Sequence, residues 1–304
     1  MKKLTAILTT ASVLAVAILA GCSSDPTASN PPKKPATKDE PATETTVSTT
    51  GNKIQVNDAT LGQIWIPELD GVAVNKLDKN GFTSDNSFKY YSEGGKPASL
   101  EGIDISSYSG DIEWQKVKDS GIDFVMVRLG GRGYGNEGAT YRDERALEYI
   151  KGAQAVGIKA GGYFFSQAVT TNEAIEEADM VKEILGDTKL DFPVAYDWEI
   201  IKDDDARTDA VTPAQATENA KAFCQTVASH GYTPIIYSTG RELYFKYDLS
   251  KLAEYDVWYC EYSDVPDFYY EFSMWQYSKS GQVDGIEGNV DLDMCFTNVA
   301  DYAK

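Results

Sequence analysis

Phe192-Pro193-Val194-Ala195-Tyr196-Asp197-Trp198-Glu199 reads as a strand that ends on two acids. Side chains two apart on a strand point to the same face, so Asp197 and Glu199 project together from its carboxyl end. Outward from it the chain alternates. Upstream, Thr170-Thr171-Asn172-Glu173 has the spacing of a capping box and opens a helix running to about Leu185. Downstream, Thr212-Pro213-Ala214-Gln215 repeats that signal with Pro at the first helical position, and Gly231 stops the helix. Further strands are expected at Gly102–Ser106, Phe124–Arg128 and Ile158–Ser166, and near 234–238, 256–261 and 273–277. A short helix is marked by Trp114 and Val117, and a longer one is expected over about 141–156. Strands alternating with helices of this length argue for parallel α/β architecture closed into a barrel. The last 50 residues look strand-rich without a clear helix, so the barrel is expected to be irregular at its end.

Composition narrows the chemistry. The 304 residues carry 28 Lys+Arg against 47 Asp+Glu, a formal charge of -19, with one His and four Cys. A Ser–His–Asp or Cys–His relay would have to use His230, and a His/Cys zinc site needs three or four such ligands. The acidity argues against nucleic acid, whose binding runs on cations neutralising phosphates. No metal and no cofactor are expected, and the run Asp203–Asp205 reads as solvated loop. Any catalysis falls to carboxylates.

The first residues read as address and tether. Lys2 and Lys3 precede an uncharged, mostly apolar run of 17 residues, Leu4–Ala20, which closes on Leu19-Ala20-Gly21-Cys22. Charged start, apolar stretch and small-residue exit describe a signal peptide over 1–21. The tetrad resembles the bacterial lipobox, which implies cleavage before Cys22 and a lipid on its sulfur, holding the protein on the outer face of the cell membrane. Residues 23–50 contain five Pro and eleven Ser/Thr, so 22–50 are expected to be a disordered spacer. Residues 51–100 bring apolar anchors, with Phe88-Lys89-Tyr90-Tyr91 a candidate strand and Gly94-Gly95 a turn, and read as an extended lead-in. The main domain is 101–304.

In a β/α barrel, chemistry gathers at the carboxyl ends of the strands. Asp104, Asp197, Glu199 and Asp291 lie at or near such ends. Two neighbouring carboxylates cannot both ionise freely, so one keeps a proton near neutrality. A protonated acid beside an ionised one is the equipment of glycosidic cleavage. Aromatics form a second constellation: 17 of the 35 Phe, Trp and Tyr fall in residues 230–304. Tyr163, Tyr237, Trp258, Tyr262 and Trp275, on or beside strands, are candidates for stacking on sugar faces.

Several strings in order resemble glycoside hydrolase family 25, the muramidases. They are Gly102-Ile103-Asp104-Ile105-Ser106, Gly110–Trp114, Gly161–Ser166, Pro193–Glu199, Gly231–Tyr237, Trp275-Gln276-Tyr277-Ser278 and Gly285–Asp293, spanning about 101–297. The resemblance implies an irregular TIM-like barrel of about five β/α units plus additional strands. It implies cleavage of the β-1,4 bond between N-acetylmuramic acid and N-acetylglucosamine in peptidoglycan glycan strands. By motif position Glu199 looks like the general acid, Asp197 its stabilising partner, and Asp104 and Asp291 two further pocket acids. Gln276 joins the five aromatics as a glycan contact. Trp198, in a slot often aliphatic, and Cys260, in place of a small residue, depart from the pattern.

Three rivals stand beside this reading: a barrel that binds wall glycan without cleaving it, a solute-binding lipoprotein, and a chitinase-like glycosidase. The solute-binding class should have two α/β lobes, whereas a single alternation runs through here. His230 is expected at a helix terminus and Cys224 inside a helix. Cys260 and Cys295 are candidates for a disulfide outside the cell. A monomer is expected.

Overall fold

The structure, a computed structural model, describes residues 47–58, 60–202, 204–300 and 302. The signal peptide, Cys22, the spacer up to residue 46 and Asp203 lie outside these described residues.

Five strands precede the barrel. β1 (Thr49–Asp58) and β2 (Gly62–Leu69) form an antiparallel hairpin. β3 (Phe82–Ser84), β4 (Lys89–Glu93) and β5 (Lys96–Pro97) form a small antiparallel sheet. The β4–β5 turn is Gly94-Gly95, both with positive φ, the backbone a tight hairpin requires. Both pieces are fastened to the barrel domain. Asp58 accepts from Arg241 at 2.7 Å, and Glu68 accepts from the Tyr269 hydroxyl at 2.8 Å. Phe82 meets Trp275 edge-on at 5.7 Å, and Tyr91 meets Phe296 at 5.4 Å.

The barrel strands are β6 (Ser99–Ile105), β7 (Phe124–Arg132), β9 (Lys159–Ser166), β10 (Val194–Trp198), β11 (Pro234–Thr239), β12 (Asp256–Cys260), β13 (Met274–Gly281) and β14 (Val290–Phe296). They neighbour one another in that order and β14 pairs back to β6, closing eight strands. Every neighbouring pair from β6 to β13 is parallel, while β14 is antiparallel to both its neighbours. A ninth strand, β8 (Thr140–Arg142), pairs with the far end of β7. The helices α1 (Trp114–Asp119), α2 (Ala146–Ala155), α3 (Thr171–Leu185), α4 (Pro213–Ser229) and α5 (Gly240–Phe245) follow β6, β7, β9, β10 and β11, giving five β/α units. After α5 there are three barrel strands and no further α-helix among the described residues, so the irregular end is as expected.

Alternation along each strand sorts the side chains. Ile103, Ile105, Val125, Val127, Val194, Tyr196 and Ile236 pack outward in the larger core shared with the helices. Phe124, Met126, Ala195, Ile235, Tyr237, Trp258, Met274 and Cys295 fill the barrel interior. At one end Phe124 stacks on Phe192, centroids 4.6 Å apart, and Tyr302 abuts Phe192 at 5.4 Å. Gly102 is required there, because a Cβ would come within 2.2 Å of the Phe124 ring.

Three local expectations need correction. The helix expected from 141 begins at Ala146, because Thr140–Arg142 pair with β7 and Asp143 then turns the chain, accepting from the Arg145 amide at 3.1 Å. The two capping boxes are half-formed. Thr170 and Thr212 accept from the amides three residues on, but Glu173 bonds the Val169 amide and Gln215 bonds Asn219. His230 caps α4 as expected and sits 2.8 Å from Asp179. Cys224 is buried, and Cys260 and Cys295 are free thiols rather than a disulfide.

Candidate active site

β10 delivers the acid pair. Ala195 faces the barrel interior, so Asp197, two residues on, does too; Tyr196 and Trp198 face the helices. Trp198 fills its unusual slot from outside, edge-on to Tyr247 at 6.3 Å. Asp197 is buried, with Oδ1 lacking any protein partner, and Glu199 is half-buried at the mouth. Burial, and then the negative charge of Glu199, push the Asp197 carboxyl well above its ordinary range. Burial raises Glu199 as well, while its hydrogen bond with Asp197 works the other way. The hydrogen bond between them raises Asp197 and lowers Glu199, so within the pair the deeper Asp197 binds a proton more tightly.

β6 and β14 deliver the rest. Asp104 and Asp291 are register partners on adjacent antiparallel strands. Asp104 is pushed up by burial and by the charges of Asp291 and Asp293. Asp291 rises to about 6, burial winning over the nearby Lys279 ammonium. The structure thus gathers all four sequence-predicted acids at the same end of the barrel, linked by mutual electrostatics.

Gln276 is the hub of the polar network. Its Nε2 donates to Asp104 Oδ2 at 2.7 Å, while its Oε1 accepts from the Tyr237 hydroxyl at 2.9 Å, the Cys260 thiol at 3.0 Å and the Tyr262 hydroxyl at 3.2 Å. Cys260, the second departure, is thereby built into the network. Tyr163 and Tyr237 lie edge-on to Trp258 at 6.3 and 4.7 Å. Trp258 is the floor of the site rather than its wall: it is 2% exposed, and its indole N–H donates to Asp293 at 2.9 Å. Tyr262, half-exposed, stands at the rim.

Trp275 does not join them. Its ring is buried on the outer face against Phe82 and Tyr277, and its N–H donates to the Glu261 carbonyl at 2.8 Å. Adjacent residues on a strand face opposite ways, so Trp275 and Gln276 cannot both look into the mouth.

Sequence reading missed other residues. Asp293 lies two positions beyond Asp291 on the same face, and the parity applied to Asp197 and Glu199 would have found it. Arg128 ends the inward row Phe124, Met126, Arg128. Its Nε and Nη2 both donate to Asp143 Oδ2, at 3.0 and 2.9 Å, and its guanidinium lies 5.0 Å from the Tyr108 ring centroid and 5.8 Å from that of Tyr141. Its charge draws the Asp197 carboxyl downward against burial. Gln167 is fully buried beyond β9 and donates to the Glu199 carbonyl at 3.0 Å, fixing the backbone of the acid. Glu242, buried beyond β11, adds its negative charge beside Glu199. Asp143, Gln167 and Glu242 come from loops or a short helix, where no periodicity announces a direction. Among the described residues no group of three or more His, Cys, Asp or Glu is arranged to hold a metal ion.

A closed β/α barrel whose mouth collects paired acids has the architecture of a barrel glycosyl hydrolase. Residues 103–286 match the family model of the glycosyl hydrolases family 25, and the chain belongs to that family. It is 29% identical over 196 residues to the autolytic lysozyme of Clostridium acetobutylicum, covering 64% of this chain and 55% of that protein. The chain thus spans about half the length of that curated relative. Among solved structures, the modular autolysin LytC of Streptococcus pneumoniae, determined with a synthetic peptidoglycan ligand, superposes with a TM-score of 0.56 at 22% identity. That match covers 81% of this chain and 57% of LytC. The spore cortex lytic enzyme SleM of Clostridium perfringens gives a TM-score of 0.57 at 20% identity, covering 67% of this chain and 69% of SleM.

Proposed function

We propose that the protein is a muramidase that hydrolyses the β-1,4 bond between N-acetylmuramic acid and N-acetylglucosamine in peptidoglycan. The observation that carries this is the pair Asp197 and Glu199, buried together at the barrel mouth with raised affinities for a proton. Family membership and the lysozyme relative support the bond type. In this reading Glu199 protonates the leaving oxygen and Asp197 stabilises the positive charge that develops on the sugar. In this reading the free protein carries the shared proton on Asp197, the acid with the stronger hold on it. A glycan lying across the mouth buries Glu199 further, which favours its neutral form and draws the proton outward to the acid that uses it. Asp291, raised only to about 6, keeps the field around the pair negative, which suits a cationic transition state, while Asp104 is held in place by Gln276. Tyr163, Tyr237 and Tyr262 are the sugar contacts.

We further propose that Cys22 carries a lipid, so that the domain works on the outer face of the cell membrane, against the cell's own wall. A labelled fatty acid incorporated by the wild type and lost in Cys22→Ser tests the anchor.

The activity is tested by incubating the protein with purified peptidoglycan and analysing products by mass spectrometry. New fragments ending in reducing N-acetylmuramic acid are expected. Absence of any new reducing end, across a range of pH, overturns the enzymatic reading; fragments ending in N-acetylglucosamine overturn the bond assignment.

A further inference from the structure

Beside the barrel mouth runs a groove of about 740 Å³ that the strands of the barrel do not build by themselves. One wall is the lead-in loop from Ser84 to Lys89, between β3 and β4; the other is Tyr262–Asp264 with the β13–β14 hairpin around Ser278–Gln282. A chain of hydrogen bonds links the groove to the acids. Tyr262, which lines it, donates to Gln276, and Gln276 donates to Asp104. Lys279, on the same wall, has its ammonium 5.7 Å from the Tyr262 ring centroid and draws the Asp291 carboxyl downward.

The wall made by the lead-in is fixed in place. Asp85 accepts from the amides of Ser87 at 2.7 Å and Phe88 at 2.8 Å, and from the Tyr90 hydroxyl at 2.9 Å. These bonds hold its carboxyl below its usual range. Phe88 is buried, and Lys89 reaches across to Asp264 at 2.9 Å. A groove whose walls are pinned before anything enters it loses little order on binding.

Its chemistry selects the ligand. The charges of Asp85, Lys89 and Asp264 are engaged within the protein and the Lys279 ammonium lies over the Tyr262 ring, so the groove presents a single further cation and offers a polyanion or polycation little. What remains is hydroxyl and amide, supplied by residues such as Ser84, Asn86, Ser280 and Gln282, with the half-exposed Tyr262 ring at the inner end. Such a surface suits a neutral chain rich in hydroxyl and acetamido groups.

We propose that this groove is a glycan subsite remote from the scissile bond, one wall of it contributed by the lead-in segment, that holds further sugar units of the same strand. It rests on the muramidase reading and assigns a role to part of the lead-in, which then sets the length of strand preferred.

The test uses the full chain with glycan fragments of increasing length, and Asn86→Trp and Ser280→Trp, which fill the groove from two exposed positions. In the variants kcat/KM on long strands should fall about tenfold or more, equivalent to about 1.4 kcal/mol, with cleavage of the shortest substrate and the melting temperature unchanged. Equal losses at every length, or no loss at any length, overturn the proposal. Titrating the same fragments into Glu199→Gln and Glu199→Gln/Asn86→Trp separates this from catalysis. Tighter binding of long strands that the second substitution weakens about tenfold supports the groove even if the wild type proves inactive. Length-independent binding in both overturns it even if the wild type cleaves.

Discussion

At the scale of single residues, Glu199 and Asp197 are told apart by what surrounds them. Glu199 is half-buried at the rim, within reach of a substrate, and Glu199→Gln keeps its shape and hydrogen-bonding capacity while removing the proton. Turnover should drop by about a thousandfold or more with glycan binding preserved, a contrast read by comparing steady-state rates with calorimetric affinity. Arg128 offers a subtler test. Its guanidinium holds the Asp197 carboxyl down against burial, so Arg128→Leu should let that carboxyl rise further. Catalysis needs one proton kept on the pair, and raising the affinity of the carboxyl that holds it moves the alkaline limb of the kcat/KM profile to higher pH. An unshifted alkaline limb would show that Arg128 acts on substrate contact and not on the pair. Glu199, Asp197, Asp104 and Asp291 were legible in the sequence because strand parity and the carboxyl-end rule name them together. Trp275 was misread because aromatic type was allowed to outrank that parity.

Elements were legible where burial leaves a continuous signature. β7 and β10 carry near-unbroken apolar runs because parallel strands are covered on both sides, by the interior and by the helices. β8 and α5 were not legible, because three and six residues give no period to count. What the elements do for the site is set by small contacts. Gln167, beyond β9, holds the Glu199 carbonyl, and Thr208 Oγ1 in turn donates to Gln167 Oε1 at 2.9 Å. Gln167→Ala should therefore leave the barrel folded and cut kcat/KM by about tenfold, as expected for a displaced acid; circular dichroism with kinetics checks both halves. At the other end of the barrel Gly102→Ala drives a methyl into the Phe124 ring. It should cost about 1–3 kcal/mol in denaturant unfolding, the range for overpacking.

Over the whole molecule, the acids among the described residues divide into a solvated exterior and a buried minority whose protonation couples folding to pH. Glu101 isolates that coupling away from the active site. It sits on the outer face of β6, 5% exposed, beside the sheet formed by β3, β4 and β5. Ser99 donates to its Oε1 at 3.0 Å, and its Oε2 has no partner. Burial pushes its carboxyl up to about 8, against an ordinary value of 4.5. With the folded value above the unfolded one, the folded protein holds this proton more tightly. The stability it confers is complete below about pH 4.5 and is lost as pH rises towards 8. Glu101→Gln keeps the volume and a neutral hydrogen-bonding head without the liability of ionising. The variant should melt with the wild type at pH 4.5 and above it at pH 8, by a margin on the order of 1–4 kcal/mol in unfolding free energy. A variant less stable than the wild type at both pH values would mean that the carboxyl's own hydrogen bonds, rather than its proton, hold the lead-in sheet to the barrel.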